Sequence, residues 1–229
     1  MKMVFKDLLD AFTKSKLIKE AYEDCGEMHY EVESMFNASF DCFHGKCSIQ
    51  DVKKEDIQIN KKLVNIRKKI IEYLAVNTSP NLNAALELTA IANEYERIGD
   101  YCKDLAELKT MYGINFDDNC QMCSAADKFQ KLLAEQFTIV HDAVKNEDEA
   151  LAEKSDEINE KIKKLRKQVI TQINEHPEMN AKEAVICSKI AAYSRRISSH
   201  LENISTVVTN PYPEMGFRLG KYTDFEDKK

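Results

Sequence analysis

The chain has 229 residues, enough for one elongated domain or two small ones, each able to bury a core. Its 33 Lys and Arg stand against 39 Asp and Glu, for a net charge of −6 with both signs interspersed, which excludes the dense basic patch that nucleic-acid binding needs. With 6 Gly, 4 Pro and no Trp, the composition favours a few long helices over many short strands.

The opening MKMVFKDLLDAF places Val4, Phe5, Leu8, Leu9 and Phe12 at amphipathic spacing. It reads as a short helix over 1–14 that packs onto the body or reaches for a membrane or a partner. Asp7 and Asp10 interrupt any signal-peptide core. No run approaches the roughly 20 apolar residues of a membrane span, so the expected location is cytoplasmic.

Helical periodicity then continues almost without interruption. Ile18, Tyr22, Cys25, Val32, Phe36 and Phe43 mark a first long helix over 15–43, broken at Gly45. Ser48 with Asp51 resembles a capping box for a second helix over 49–77, striped by Ile59, Leu63, Ile66, Ile70 and Leu74. Ser79 as cap and Pro80 as first helical residue predict a third helix over 80–111. Along it Leu88, Ile91, Tyr95, Ile98, Cys102 and Leu105 hold coiled-coil spacing up to Gly113. Helices four (118–146), five (148–175) and six (180–209) follow, with breaks at His176-Pro177 and at Pro211 and Pro213. Residues 210–229 read as an exposed tail.

The second half repeats the first. An offset of 99 residues aligns helices two and three with helices five and six without a gap. It pairs Asn60 with Asn159, Arg67-Lys68 with Arg166-Lys167, Asn81 with Asn180, Ala85 with Ala184 and Arg97 with Arg196. Apolar matches arise by default between amphipathic helices, whereas polar matches at one fixed offset do not. The expected architecture is all-α, a tandem repeat of two antiparallel three-helix bundles spanning 15–113 and 114–209.

Seven cysteines in a long helical chain read as reduced thiols. Cys120 and Cys123 form one Cys-x-x-Cys pair, and a zinc site would need Cys42, His44 or Cys47 from about 75 residues away, without the usual matched spacing. His29 falls on the apolar stripe of helix one and reads as a core histidine.

Helix three carries Glu94-Tyr95-Glu96-Arg97-Ile98-Gly99-Asp100. Glu96 and Asp100 lie one turn apart on one face, and Asp56 and Asn60 repeat that spacing on helix two. Antiparallel packing of the two helices would converge three carboxylates and an amide oxygen, a donor set that suits a hard cation; acid pairs on so charged a helix are also ordinary solvated surface. Gly99 would admit a close helix or ion. The Glu-x-Glu-Arg-Ile-Gly-Asp segment, set in a tandem three-helix repeat over 15–209, resembles the PhoU family of phosphate-uptake regulators. That resemblance implies a non-enzymatic adaptor that contacts phosphate transporter components or a sensor kinase, and reaches the membrane only through such partners. It also implies bound metal (iron, magnesium, manganese or zinc) at Glu96, Asp100, Asp56 and Asn60.

The second repeat departs from the pattern. Arg195 and Ser199 stand where Glu96 and Asp100 would recur, and Ser155 where Asp56 would. Repeat two is therefore expected to hold no metal, leaving Arg195, Arg196 and His200 as an anion-friendly patch. An accessory subunit of a sodium-coupled or other anion transporter is the alternative reading. A helical-bundle metalloenzyme or iron store fits less well, since no histidine follows a glutamate at the Glu-x-x-His spacing of diiron bundles. Apolar residues on helix one would also suit a homodimer.

Overall fold

The structure, a computed structural model, describes residues 15–113, 121–176 and 178–217. The expected helix over 1–14, Cys120 and the residues beyond 217 lie outside that set. The described residues form six long helices: α1 (Lys16–Phe43), α2 (Ile49–Val76), α3 (Leu82–Tyr112), α4 (Gln121–Asn146), α5 (Glu149–Glu175) and α6 (Ala181–Ser205). Two 3-10 turns, Thr206–Val208 and Tyr212–Glu214, follow. Helices α1, α2 and α3 pack on one another as one bundle, and α4, α5 and α6 as a second. The bundles join mainly along α3 and α6, with α1 and α4 touching over a short stretch.

Local chemistry starts these helices where free backbone N–H groups find acceptors. Ser48 Oγ accepts from the Asp51 N–H at 3.3 Å and donates to Asp51 Oδ2 at 2.6 Å. Asp148 Oδ1 accepts from the Ala150 and Leu151 N–H groups at 2.9 and 3.1 Å. The third helix begins at Leu82, two residues later than Pro80, and its cap is Asn81 rather than Ser79. Asn81 is held extended because its N–H donates to the hydroxyl of buried Tyr73 at 2.8 Å, while its Oδ1 accepts from the Ala84 N–H at 3.1 Å. Asn180, its partner at the 99-residue offset, caps α6 in the same way through the Glu183 N–H at 3.0 Å. The repeated asparagine is thus a repeated cap.

Helix α6 tightens into a 3-10 turn at Thr206; of the expected exposed tail, Pro211, Pro213, Gly216 and Phe217 are exposed, while Asn210 is buried. Buried Asn210 donates from Nδ2 to the Glu214 carbonyl at 3.0 Å, and the Gly216 N–H donates to Thr206 Oγ1 at 2.8 Å. These bonds fold residues 210–217 back on the end of α6.

Helix α3 must bury more than one face, because α1, α2 and α6 all pack against it. Its buried large residues follow a heptad: Leu88, Ile91, Tyr95, Ile98, Cys102 and Leu105. Beside that seam runs a second row of small residues at seven-residue spacing, Ala85, Ala92, Gly99 and Ala106, also buried. Helix α6 carries both rows at the same offset, Cys187, Ile190, Ser194, Ile197, Leu201 and Ile204 beside Ala184, Ala191, Ser198 and Ser205. Small residues let helix axes approach closely while the large row interdigitates. At Gly99 the close neighbour is Ile59 of α2: an added Cβ would lie 3.4 Å from Ile59 Cδ1.

Aromatic rings stitch α1 to α4. Phe137 of α4, fully buried, packs on Phe36 with centroids 5.2 Å apart and on His29 at 5.7 Å. His29 is a core histidine whose Nδ1 meets the Tyr95 hydroxyl at 3.1 Å. Burial, reinforced by His141, pushes its pKa down to about 3.

Replacing Phe137 by Ala should destabilise the chain by about 3–5 kcal/mol, measured by urea unfolding, because the cavity would open between the two bundles. A loss below about 1 kcal/mol would mean that this contact does not hold them together. His29 should also set a pH slope. Its folded pKa lies below its unfolded one, so its stabilisation is complete above about pH 6.5 and is lost as pH falls from there towards 3, by up to about 1.4 kcal/mol per pH unit. His29→Gln should flatten that acid limb, and an unchanged limb would assign it to other groups.

Candidate functional site

The pairing of α2 with α3 brings the acidic residues of repeat one into one neighbourhood. Asp56 of α2 and Asp100 of α3 face each other across a single side chain, Lys103, one turn beyond Asp100. Its ammonium donates to Asp56 Oδ2 and to Asp100 Oδ1, both at 3.0 Å. The three side chains are 14–35% exposed, so the pair is partly sheltered from water. Burial pulls the Lys103 pKa down, but the two carboxylates outweigh it and raise it. Glu96 stands one turn before Asp100. Burial, then the Asp100 charge, raises its pKa, against the pull of Arg97 and Arg67. The guanidinium of Arg97 lies 3.9 Å from Glu96 and 3.7 Å from Asp100.

Asn60 and Glu96 line an open hollow between α2 and α3 of about 570 Å³, shared with Arg67, Asn93, Arg97 and His200. Asn93 Oδ1 accepts from Arg67 Nη2 at 2.6 Å on its rim. Asp56, Asn60, Glu96 and Asp100 are therefore neighbours, yet they do not present their oxygens to one open point. Among the described residues, no group of three His, Cys, Asp or Glu side chains stands where it could hold a metal ion. The donors present fit an ammonium better than a metal, since a hard cation beside Asp56 and Asp100 would meet the Lys103 charge at contact distance.

The equivalent place in repeat two is built with reversed charge. Glu202 stands at the offset position of Lys103 and Arg195 at that of Glu96. Buried Asn159 donates from Nδ2 to Glu202 Oε2 and accepts from Ser198 Oγ at 3.0 Å. Burial lowers the Arg195 pKa, and the charges of Glu202 and Glu160 oppose that fall. Ser155, at the offset of Asp56, is fully buried and meets Gln136 Nε2 at 3.2 Å.

Arg195, Arg196 and His200 do not gather into one anion patch. Arg195 is half-buried beside Glu202, Arg196 is exposed, and His200 turns across the bundle interface. His200 Nδ1 lies 2.6 Å from Glu94 Oε2, to which Asn203 Nδ2 also donates at 3.2 Å. His200 stacks on Tyr101 with centroids 5.6 Å apart, and Tyr101 packs on Tyr193 at 6.0 Å. Of the cysteines that a zinc site would need, Cys42 is buried, and burial with the neighbouring Cys47 thiol pushes it up to about 12. His44 is exposed, and the side chains of Cys120 and Cys123 lie outside the described set.

Lys103, Glu202 and Glu94 are the residues that sequence reasoning passed over. Asp100 and Lys103 carry an i, i+3 charge signal. Nothing in local spacing marks Glu94, whose partners are more than 100 residues away.

A family model described as the PhoU domain matches the chain twice, over residues 26–108 and 127–208. Among solved structures, PhoU from Pseudomonas aeruginosa superposes with a TM-score of 0.72 at 19% identity, covering 84% of this chain and 95% of that one. The phosphate transport system regulatory protein PhoU from Streptococcus pneumoniae superposes with a TM-score of 0.70 at 14% identity, covering 84% and 93%. No curated protein matches the sequence.

The two matched halves meet through Glu94 and His200, and that contact can be measured. A double-mutant cycle with Glu94→Ala and His200→Ala should give a coupling of about 1 kcal/mol in unfolding experiments. A coupling near zero would remove this contact from the forces that join the bundles.

Proposed function

The chain belongs to the PhoU family, and on that premise we propose that it is a non-enzymatic regulator of phosphate uptake that works as a helical adaptor on a phosphate transport component. The observation that carries the proposal is the double family match, one PhoU domain on each bundle. The similarity to a structure named as a phosphate transport system regulator supports it.

The surface supplies a face for such an adaptor. On α2, Ile57, Val64 and Ile71 are 51, 48 and 67% exposed at exact seven-residue spacing. That is the spacing of a seam that a second helix covers. The offset positions on α5 are Asp156, Lys163 and Ile170, so the seam belongs to repeat one alone. Arg67 and Lys68 are exposed on the same helix and would add charge around the apolar row. Among the described residues no helix is long and apolar enough to cross a membrane. In this reading the chain works from the cytoplasm and reaches the membrane through its partner.

The test is phosphate uptake in cells lacking the chain. Uptake should escape repression by high phosphate and regain it with the wild-type gene. The Val64→Glu/Ile71→Glu variant, folded by circular dichroism, should fail to restore it, because charges on a covered seam cost several-fold or more in affinity, about 1.4 kcal/mol per tenfold. Normal phosphate repression in the deleted strain would sink the proposal. Full rescue by the variant would move the docking face elsewhere.

A further inference from the structure

Three carboxylates brought together by helix packing repel one another unless a cation lies among them. In repeat one the chain supplies that cation itself. Lys103 reaches from α3 to sit 3.0 Å from one oxygen each of Asp56 and Asp100, while Arg97 approaches Asp100 and Glu96 at 3.7 and 3.9 Å. An ammonium bridging two carboxylates takes the position from which a bound metal would bridge them, and the two cannot share it. Lys103 is not a free surface lysine that happens to be near: it spans two helices and is three-quarters covered.

Repeat two lacks the carboxylate pair that this device needs. Of the five offset pairs, Asn60 and Asn159 agree, while Asp56, Glu96, Asp100 and Lys103 become Ser155, Arg195, Ser199 and Glu202. Once Asp56 and Asp100 are replaced by serines, a lysine would have no anion to bridge. Glu202 instead accepts from Asn159, whose oxygen takes the Ser198 hydroxyl.

We propose that Lys103 is a resident cation that fills the cation position of the repeat-one carboxylate cluster, so that a metal ion and the ammonium compete for one place between Asp56 and Asp100. The inference stands on the geometry of α2 and α3 and does not require the regulatory reading to hold.

The test uses the full chain purified without chelator. Elemental analysis of the wild type should find no stoichiometric metal, and EDTA should leave its melting temperature within about 1 °C. Titration with Mn²⁺, read by electron paramagnetic resonance, should show weak binding to the wild type. Lys103→Ala should bind at least about tenfold more tightly, since the ammonium no longer repels the ion. Adding Asp56→Asn to that variant should abolish the gain. Lys103→Met, which keeps the buried stem, serves as a second variant if Lys103→Ala unfolds. Stoichiometric metal on the wild type that Asp56→Asn/Asp100→Asn removes would overturn the proposal. So would Mn²⁺ binding by folded Lys103→Met no tighter than that of the wild type.

Discussion

Helix α3 is buried against its own bundle and against α6, and the rest of the architecture follows from that demand. A helix covered on one side needs a single apolar stripe, whereas one covered on two sides needs a wider set of buried positions. A second row of small residues, Ala85, Ala92, Gly99 and Ala106, runs beside the large heptad row, and at Gly99 it meets Ile59 of α2 and Met35 of α1. The two bundles meet through equivalent positions outside those rows, Glu94 and Tyr101 of α3 against Tyr193 and His200 of α6. Polar contacts cross the interface as well, with Glu94 of α3 taking His200 and Asn203 of α6. Buried polar groups are tolerated where they are paired, and pairing of this kind also fixes the register in which two similar helices meet.

Duplication has left the repeats alike in framework and unlike in charge. Caps recur because every helix start must satisfy its free N–H groups, so Asn81 and Asn180 have the same task. The cluster between the second and third helices of each repeat has no such backbone duty, and its charges have diverged. In repeat one, a lysine bridges two aspartates with a glutamate one turn away; in repeat two, an acid and an arginine stand at the offset positions with serines and an asparagine. Both arrangements balance charge at a partly sheltered place, where an unbalanced charge would cost most. The outer face of α2 differs between repeats in the same manner, apolar in the first and largely charged in the second. An adaptor built this way offers two distinct surfaces from one fold.

Much of this was legible in the chain alone. Six helices, their approximate limits and the 99-residue repeat are written in periods of three and four residues and in punctuating glycines and prolines, which act over a single turn. Where expectation and structure part, a distant contact decided the outcome. Ser79-Pro80 is a sound local start for a helix, yet Tyr73 holds Asn81 extended and moves the start to Leu82. The residues after 209 lack a strong periodic signal, yet Asn210 and Thr206 fold them back through 217.

The sequence by itself determined the all-α class, the duplication and the neighbourhood of Asp56, Asn60, Glu96 and Asp100, because helical spacing and antiparallel pairing are set by short-range geometry. Only the tertiary structure decided what occupies that neighbourhood. Lys103 is 47 residues from Asp56, and Glu94 is 106 residues from His200. Whether a carboxylate cluster meets a lysine of its own chain or stands open depends on how far two helices slide and rotate against each other. That register is fixed by the packing of Ile59 against Gly99 and of α3 against α6, which no local pattern contains.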